Sequence, residues 1–462
     1  MNLKSLHSVY FLGIGGIGMS AIARWFAHQG IAVSGYDRTS SALTQQLEQE
    51  GIKVHYEDSL ATLPELDKVN SLVVWTPAIP ADSVQLNHFR QNGYLLKKRS
   101  EVLGMITAGY QTVAVAGTHG KTSTSALVAH LLNEGGLNVT AFLGGITQNF
   151  NTNLLLPDNN SEASVVVVEA DEFDRSFLTL HPNIAVVTSM DPDHLDIYGD
   201  ADELLKSFSD FINLIDKKGK LFIQKNAFER LNRNNFGSLD LELYGLSGAA
   251  IQALDIQSGI RSFEFTYSGK DQRLEKLVLP VPGFHNVENA LAAISVALEL
   301  GIDAKSIRKG LESYKGVKRR FEIRYQQNGR VYIDDYAHHP EEIKAFLGSV
   351  KAMYPDSKLT VLFQPHLFSR TKDFAAEFSE SLSIAEEVLL LDIYPARELP
   401  IEGVTSQMLL PAITSGSKTV LGREEVIPFL EKNQPEILVT IGAGDIDRMV
   451  EPLTKWMEGN YE

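Results

Sequence analysis

A strand that breaks into Gly117-Thr118-His119-Gly120-Lys121-Thr122 and resumes as a helix constrains this chain more than any other feature. The run before it, QTVAVA, is apolar and β-rich, and the helical pattern that opens at about Lys121 stops at the Gly135-Gly136 pair. Such a turn aims backbone N–H groups at one point, which suits a phosphate. Lys121 is then placed for β- and γ-phosphate oxygens and Thr122 for Mg²⁺. Val115 stands where G-x-x-x-x-G-K-[ST] has glycine, so the loop is a variant. A helix start that happens to contain G-K-T is the alternative; the flanking strand and helix favour ATP or GTP.

A second glycine turn lies near the N-terminus. Gly13, Gly15 and Gly18 form G-x-G-x-x-G between the strand-like HSVYFL and a helical pattern, and Asp37 ends the next strand. NAD, FAD, another nucleotide or a merely tight turn all satisfy that fingerprint. The uncharged stretch Val9 to Ala23 follows Lys4 and resembles a signal-peptide core, but its glycine spacing belongs to a loop. No stretch reaches about 18 uninterrupted apolar residues, so no membrane association is expected.

At 462 residues the chain exceeds one core, and about 150 residues per domain predicts three. Alternating strand and helix patterns make the fold class α/β: 1–103, Rossmann-like; 104–315, a central P-loop ATPase-like domain on a parallel sheet; 316–462, a second Rossmann-like domain. The net charge of −16 disfavours nucleic acid as a partner, and the absence of cysteine excludes disulfides and thiolate sites, which fits the cytoplasm. PGFHNVENALAAISVALELG predicts a long amphipathic helix closing the central block.

Polar residues gather where strands end. Glu169, Asp171 and Glu172 follow SVVVVEA, and His194 and Asp196 follow the next strand. Carboxylates there complete a Mg²⁺ shell or form solvated turns; two clusters on one sheet edge favour metal. Asn286 and Asn289, spaced i to i+3 beside His285, suit an adenine edge or a helix cap. Asp334, Asp335, Tyr336, His338 and His339 crowd one C-terminal strand end, and His366 and Arg370 another.

GTHGKT, EADEFD, DHLD, PGFHNVENA, RRFE, DDYAHHP and FQPHLFSRT occur in order across nearly the whole chain, which thereby resembles the Mur ligases. Within them it looks most like the branch that joins L-alanine to UDP-N-acetylmuramate. The resemblance implies that Gly13, Gly15, Gly16, Ile17 and Gly18, with Asp37, hold the UDP-sugar rather than a dinucleotide. It implies ATP on Gly117 to Ser123, with His285, Asn286, Asn289, Arg320 and Asp335 around its base and ribose. Mg²⁺, or Mn²⁺, would be bridged to ATP by Thr122 and Glu169, with His194 as ligand of a second Mg²⁺. Tyr336, His366 and Arg370 would face the amino acid, with His338, His339 and His366 handling protons.

Two departures stand out. Later-acting relatives carry a carbamylated lysine where this chain has Phe208, with Lys206 out of register; the alanine-adding branch also lacks it. Leu367 replaces the arginine of QPHRF, leaving His366 and Arg370 for the amino-acid carboxylate. The implied reaction activates the sugar's lactyl carboxylate as an acyl phosphate, which the alanine amine attacks, in a monomer or homodimer. Competing readings are a recycling ligase that adds a tripeptide to the same sugar, a nucleotide-binding oxidoreductase, and a non-catalytic ATP switch.

Overall fold

A computed structural model describes residues 3–157, 164–192, 198, 200–231, 236, 239–396 and 398–461. It divides into two compact units, the first comprising Met1–Gln252, Ser268–Gln272 and Asn289–Gly310, the second Ala253–Tyr267, Arg273–Glu288 and Leu311–Glu462. The α/β class holds in both, with sheets that are mainly parallel.

The first unit opens with β1 (Ser8–Leu12), α1 (Ile17–His28), β2 (Ala32–Tyr36), α2 (Ala42–Gln49), β3 (Lys53–His55), β4 (Ser71–Trp75), α3 (Val84–Gln91), β5 (Leu95–Lys98) and α4 (Arg99–Thr107). Their 5-stranded sheet runs β3-β2-β1-β4-β5. Parallel strands covered by helices on both faces need apolar side chains at every position, and Val9, Tyr10, Phe11 and Leu12 of β1 are all 0% exposed.

A second sheet in this unit holds β6 (Gln111–Ala116), β7 (Val139–Phe142), β8 (Leu154–Leu155), β9 (Val165–Glu169), β10 (Ile184–Val187), β11 (Lys220–Gln224) and β12 (Asp240–Gly245). Its order is β12-β11-β10-β6-β9-β7-β8, with α5 (Lys121–Glu134), α6 (Ala201–Asn213) and α7 (Lys225–Arg230) among the connections. The glycine-loop layer and the phosphate-loop layer are joined by a buried polar knot. Asn153, 0% exposed, donates to the Ile17 carbonyl at 2.5 Å and to Ser20 Oγ at 3.2 Å, and it accepts from Arg24 Nη1 at 2.7 Å. Arg24 Nε in turn reaches Glu50 at 2.6 Å.

The second unit carries most of β13 (Ile251–Ser258), β14 (Phe263–Ser268) and β15 (Arg273–Leu279). Helix α8 (Phe284–Glu299) passes from this unit into the first, and α9 (Ala304–Ser313) leads back. The amphipathic expectation for α8 is overturned: no residue from Ala290 to Ala297 is more than 4% exposed, so the helix is buried all round.

Beyond it lies a 6-stranded sheet ordered β16-β17-β21-β18-β19-β20. Its strands are β16 (Glu322–Gln327), β17 (Arg330–Asp335), β18 (Leu359–Phe363), β19 (Glu387–Leu390), β20 (Ser417–Val420) and β21 (Ile437–Ile441). Helices α10 (Pro340–Met353), α11 (Phe368–Asp373), α12 (Ala375–Leu382), α13 (Arg423–Asn433) and α14 (Asp447–Tyr461) complete it. Among the described residues no helix is long and apolar enough to cross a membrane.

Candidate active site

The phosphate loop leaves β6 at the middle of its sheet. Gly117 has φ +137°, and a Cβ there would lie 2.1 Å from Thr188 Oγ1, so both conformation and space require glycine. The end of β10 clamps the loop: Thr118 N–H donates to the Ser189 carbonyl at 3.2 Å and His119 N–H to Ser189 Oγ at 2.7 Å. Thr118 Oγ1 accepts from the Asp191 N–H at 3.0 Å, and His119 Nε2 lies 3.9 Å from an Asp191 oxygen. Thr122 and Ser123 follow in the first turn of α5, Thr122 buried. Asn289 stands over the loop, its Oδ1 2.9 Å from where a Cβ on Gly120 would project.

Lys121 Nζ donates to the Gly117 carbonyl at 2.6 Å and to Glu172, whose oxygens lie 2.9 and 2.8 Å away. Burial alone would push the ammonium's pKa down. The carboxylates of Glu172, Asp171 and Glu169 outweigh it and hold the group above its ordinary value, so it is a cation at neutral pH.

The acidic cluster after β9 splits three ways. Glu169 lies beside β6 in parallel register and accepts the Gly144 N–H at 3.0 Å. Asp171 reaches Arg99 at 3.4 Å, and Glu172 is 0% exposed. His194 and Asp196 lie outside the described residues. Among the described residues no group of three or more His, Asp or Glu is arranged to hold a metal. The Thr122 hydroxyl and Glu169 carboxylate nevertheless fit Mg²⁺, which takes hard oxygen ligands and needs only one or two from protein when phosphates supply others.

In the first glycine loop most N–H groups are committed. Gly13 and Ile14 donate to the Tyr36 carbonyl at 2.7 and 3.0 Å, Gly16 to the Gly13 carbonyl at 3.3 Å. Gly15 donates to Asp37 Oδ2 at 2.8 Å, and Asp37 Oδ1 accepts from Thr39 N–H at 3.2 Å. Asp37 therefore braces the loop. What opens toward a ligand is the first turn of α1, Ile17 and Gly18 included, whose N-cap Gly16 supplies no side-chain cap.

At the start of α8, Asn286 Nδ2 donates to the Pro282 carbonyl at 2.7 Å, the local bond of a helix entry. The His285 ring nitrogen Nδ1 is buried without a hydrogen-bond partner, and burial pushes the imidazole's pKa down to about 4.

The C-terminal cluster also separates. Asp334, 0% exposed, is held by Arg319 Nε at 2.9 Å and by the Thr440 hydroxyl at 2.6 Å, with Arg319 Nη2 on the Gly442 carbonyl at 2.8 Å. Asp335 accepts the N–H groups of Phe321 and Ala337, both at 2.7 Å; burial still pushes its pKa up to about 6, against the opposing pull of Arg320. Arg320 lies over the Tyr336 ring, 4.9 Å from its centroid. His338 and His366 face one another with ring centroids 6.2 Å apart, and His366 stacks on Tyr394. His339 caps α10 and packs edge-on against Phe374. Arg370 is buried in α11. Leu367, with φ +70°, is 6% exposed, so an apolar residue fills the arginine's place. Phe208 is 0% exposed against Phe177, while Lys206 points outward to Glu203.

Sequence reasoning missed the Lys121–Glu172 pair, the Asp37 brace and Arg319. The residues were in view; their pairings join positions as far apart as |i−j| = 123, beyond any local pattern.

The phosphate loop, its buried lysine and the neighbouring carboxylate define an α/β enzyme of the phosphate-loop nucleotide-binding class. Family comparison is more specific: residues 8–111 match the Mur ligase family catalytic domain, 115–297 the Mur ligase middle domain, and 319–444 the Mur ligase glutamate ligase domain. The chain belongs to the Mur ligase family.

Among its relatives, the UDP-N-acetylmuramate–L-alanine ligase of Cytophaga hutchinsonii is 48% identical over 466 residues, covering 100% of this chain and 99% of that protein. The ligase of the same name from Flavobacterium psychrophilum is 48% identical, covering 99% and 100%. The solved UDP-N-acetylmuramate-alanine ligase of Thermotoga maritima superposes with a TM-score of 0.80 at 27% identity, covering 98% of this chain and 99% of that one.

Proposed function

We propose that this chain joins L-alanine to the lactyl carboxylate of UDP-N-acetylmuramate with ATP, giving the amide, ADP and phosphate. The observation that carries the reading is the buried ammonium of Lys121, braced on a phosphate loop with the Glu169 carboxylate at the next strand end. The full-length relatives support the substrate choice.

A carboxylate acylates poorly because its leaving group would be oxide, so its oxygen first attacks the γ-phosphorus of ATP and releases ADP. Lys121 and the loop N–H groups offset the charge gathered there, and fixed orientation supplies much of the acceleration. Thr122 and Glu169 would hold one Mg²⁺ and His194 a second, and the metals would supply positive charge to the phosphates. The uncapped first turn of α1 takes the sugar nucleotide's diphosphate. Asn289, beside the loop, is a nucleotide contact of the first unit; in the second, His285, Asn286, Arg320 and Asp335 are the residues for the base and ribose.

The unprotonated amine of alanine then attacks the acyl carbon and phosphate leaves. His366 and Arg370 take the amino acid's carboxylate, and His338, His339 and His366 supply the groups that position or accept the amine's proton. The domains divide at 103/104 and 315/316, and a reaction on ATP and a nucleotide sugar belongs in the cytoplasm.

The test is phosphate release from ATP and Mg²⁺ with UDP-N-acetylmuramate, comparing L-alanine with the tripeptide L-alanyl-γ-D-glutamyl-diaminopimelate. Turnover with alanine is expected. Turnover with the tripeptide alone would make the chain a recycling ligase, and none with either would remove the ligase reading.

A further inference from the structure

The carboxylate of Glu172 has no solvent to face: its side chain is 0% exposed, and both oxygens lie within 2.9 Å of Lys121 Nζ. Its neighbours in EADEFD serve elsewhere, Glu169 on the Gly144 N–H and Asp171 toward Arg99. An ammonium has three N–H groups. One goes to the Gly117 carbonyl at 2.6 Å and one to Glu172; the Thr118 carbonyl, at 3.4 Å, is too far for a strong bond and leaves the third for a phosphate oxygen. A lysine head sits on a flexible four-carbon stem, so its direction is set by the partners that hold it.

Glu172 is itself held fast. Its carbonyl accepts from the Arg175 N–H at 2.8 Å and from the Tyr198 hydroxyl at 2.5 Å. Asp174 and Arg175 turn the chain through left-handed backbone, φ 51° and 55°, and Asp171 Oδ1 accepts the Phe173 N–H at 3.1 Å.

We infer that Glu172 is a positioning residue of the ligase. It fixes the Lys121 ammonium against the Gly117 carbonyl so that the remaining N–H points at the γ-phosphate while the acyl phosphate forms. This role rests on the ligase reading and adds to it a carboxylate that acts on the lysine. Its charge offsets that of the buried ammonium, and its fixed oxygens give the ammonium a direction that a solvent-facing lysine lacks.

The experiment uses the full-length protein with Glu172→Gln and Glu172→Asp, measuring phosphate release with ATP, Mg²⁺, UDP-N-acetylmuramate and L-alanine, the KM of each substrate, and Tm. Glu172→Gln keeps the shape and one acceptor oxygen but removes the charge. It is expected to lower kcat by roughly tenfold to a hundredfold, the scale of a misplaced catalytic group. The KM values for UDP-N-acetylmuramate and L-alanine should stay within about twofold of the parent, since binding there does not involve the lysine. Glu172→Asp, which restores the charge one methylene short, should recover part of the lost kcat. Parental kcat in Glu172→Gln overturns the role. So does a rise in all three KM values together with a large fall in Tm, which marks a structural residue. Absence of turnover by the parent protein overturns the ligase reading itself and the role with it.

Discussion

At Gly13–Gly18 and again at Gly117–Lys121 the chain passes from a buried parallel strand through a glycine turn into a helix N-terminus, yet what stands opposite the two loops differs. The first is braced by an acid, Asp37 on the Gly15 N–H, and its helix opens without a side-chain cap. The second is braced by a base, Lys121 on the Gly117 carbonyl, with Glu172 behind it. Both turns lead into a helix N-terminus; beside the second an ammonium is held on the loop's own carbonyl and on a buried carboxylate, while at the first the Arg99 guanidinium lies against Gly18. On the proposed function the first loop holds a diphosphate that stays intact and the second serves transfer of a phosphoryl group.

The strongest way to break this contrast is Lys121→Ala, expected to lower kcat by at least ~10²-fold, as loss of a preorganised charge-stabilising donor does. Unchanged phosphate release would remove the second loop from the chemistry. Glu169→Ala should raise the Mg²⁺ concentration needed for half-maximal activity on the order of tenfold or more; a metal titration matching the parent would leave the metal without this ligand.

Gly15→Ala tests the first loop. Its Cβ would come within 2.6 Å of Thr44 Cγ2 and 2.8 Å of Asp37 Oδ2. The displaced brace should raise the KM for UDP-N-acetylmuramate roughly tenfold and leave kcat near the parent, as expected for binding equal in ground and transition state. The mildest change is Asp37→Ala, which removes the hydrogen bonds its carboxylate accepts from Gly15 and Thr39 and should raise that KM by roughly fivefold, while Asp37→Asn, keeping an acceptor for Gly15, should restore it. If Asp37→Ala lowered kcat and spared KM, the division of labour between the loops would be wrong.

Both loops were visible in the sequence because each is local: an apolar run, glycines at fixed offsets and a helix start lie within some twenty residues. The interior strand VVVVE was visible for the same reason, being an unbroken apolar run. Strands β16, EIRYQQ, and β20, SKTV, were not, since both are sheet edges and carry the polar side chains that edges tolerate. Helix α8 reads as amphipathic from its ends, Asn286 and Glu299, but its middle is covered on every side.

The sequence by itself determined the α/β class, the two glycine turns between strand and helix, and the family, since these rest on residue types at short, fixed spacings. The tertiary structure decided which of the clustered carboxylates does what. Asp171 and Glu172 are neighbours of the same charge, yet one side chain is 37% exposed and the other 0%. The same holds for Asp334, locked on Arg319, and Asp335, spread over two backbone N–H groups. A charged side chain's role depends on its desolvation and on the partner that offsets it, and both are set by residues far away along the chain.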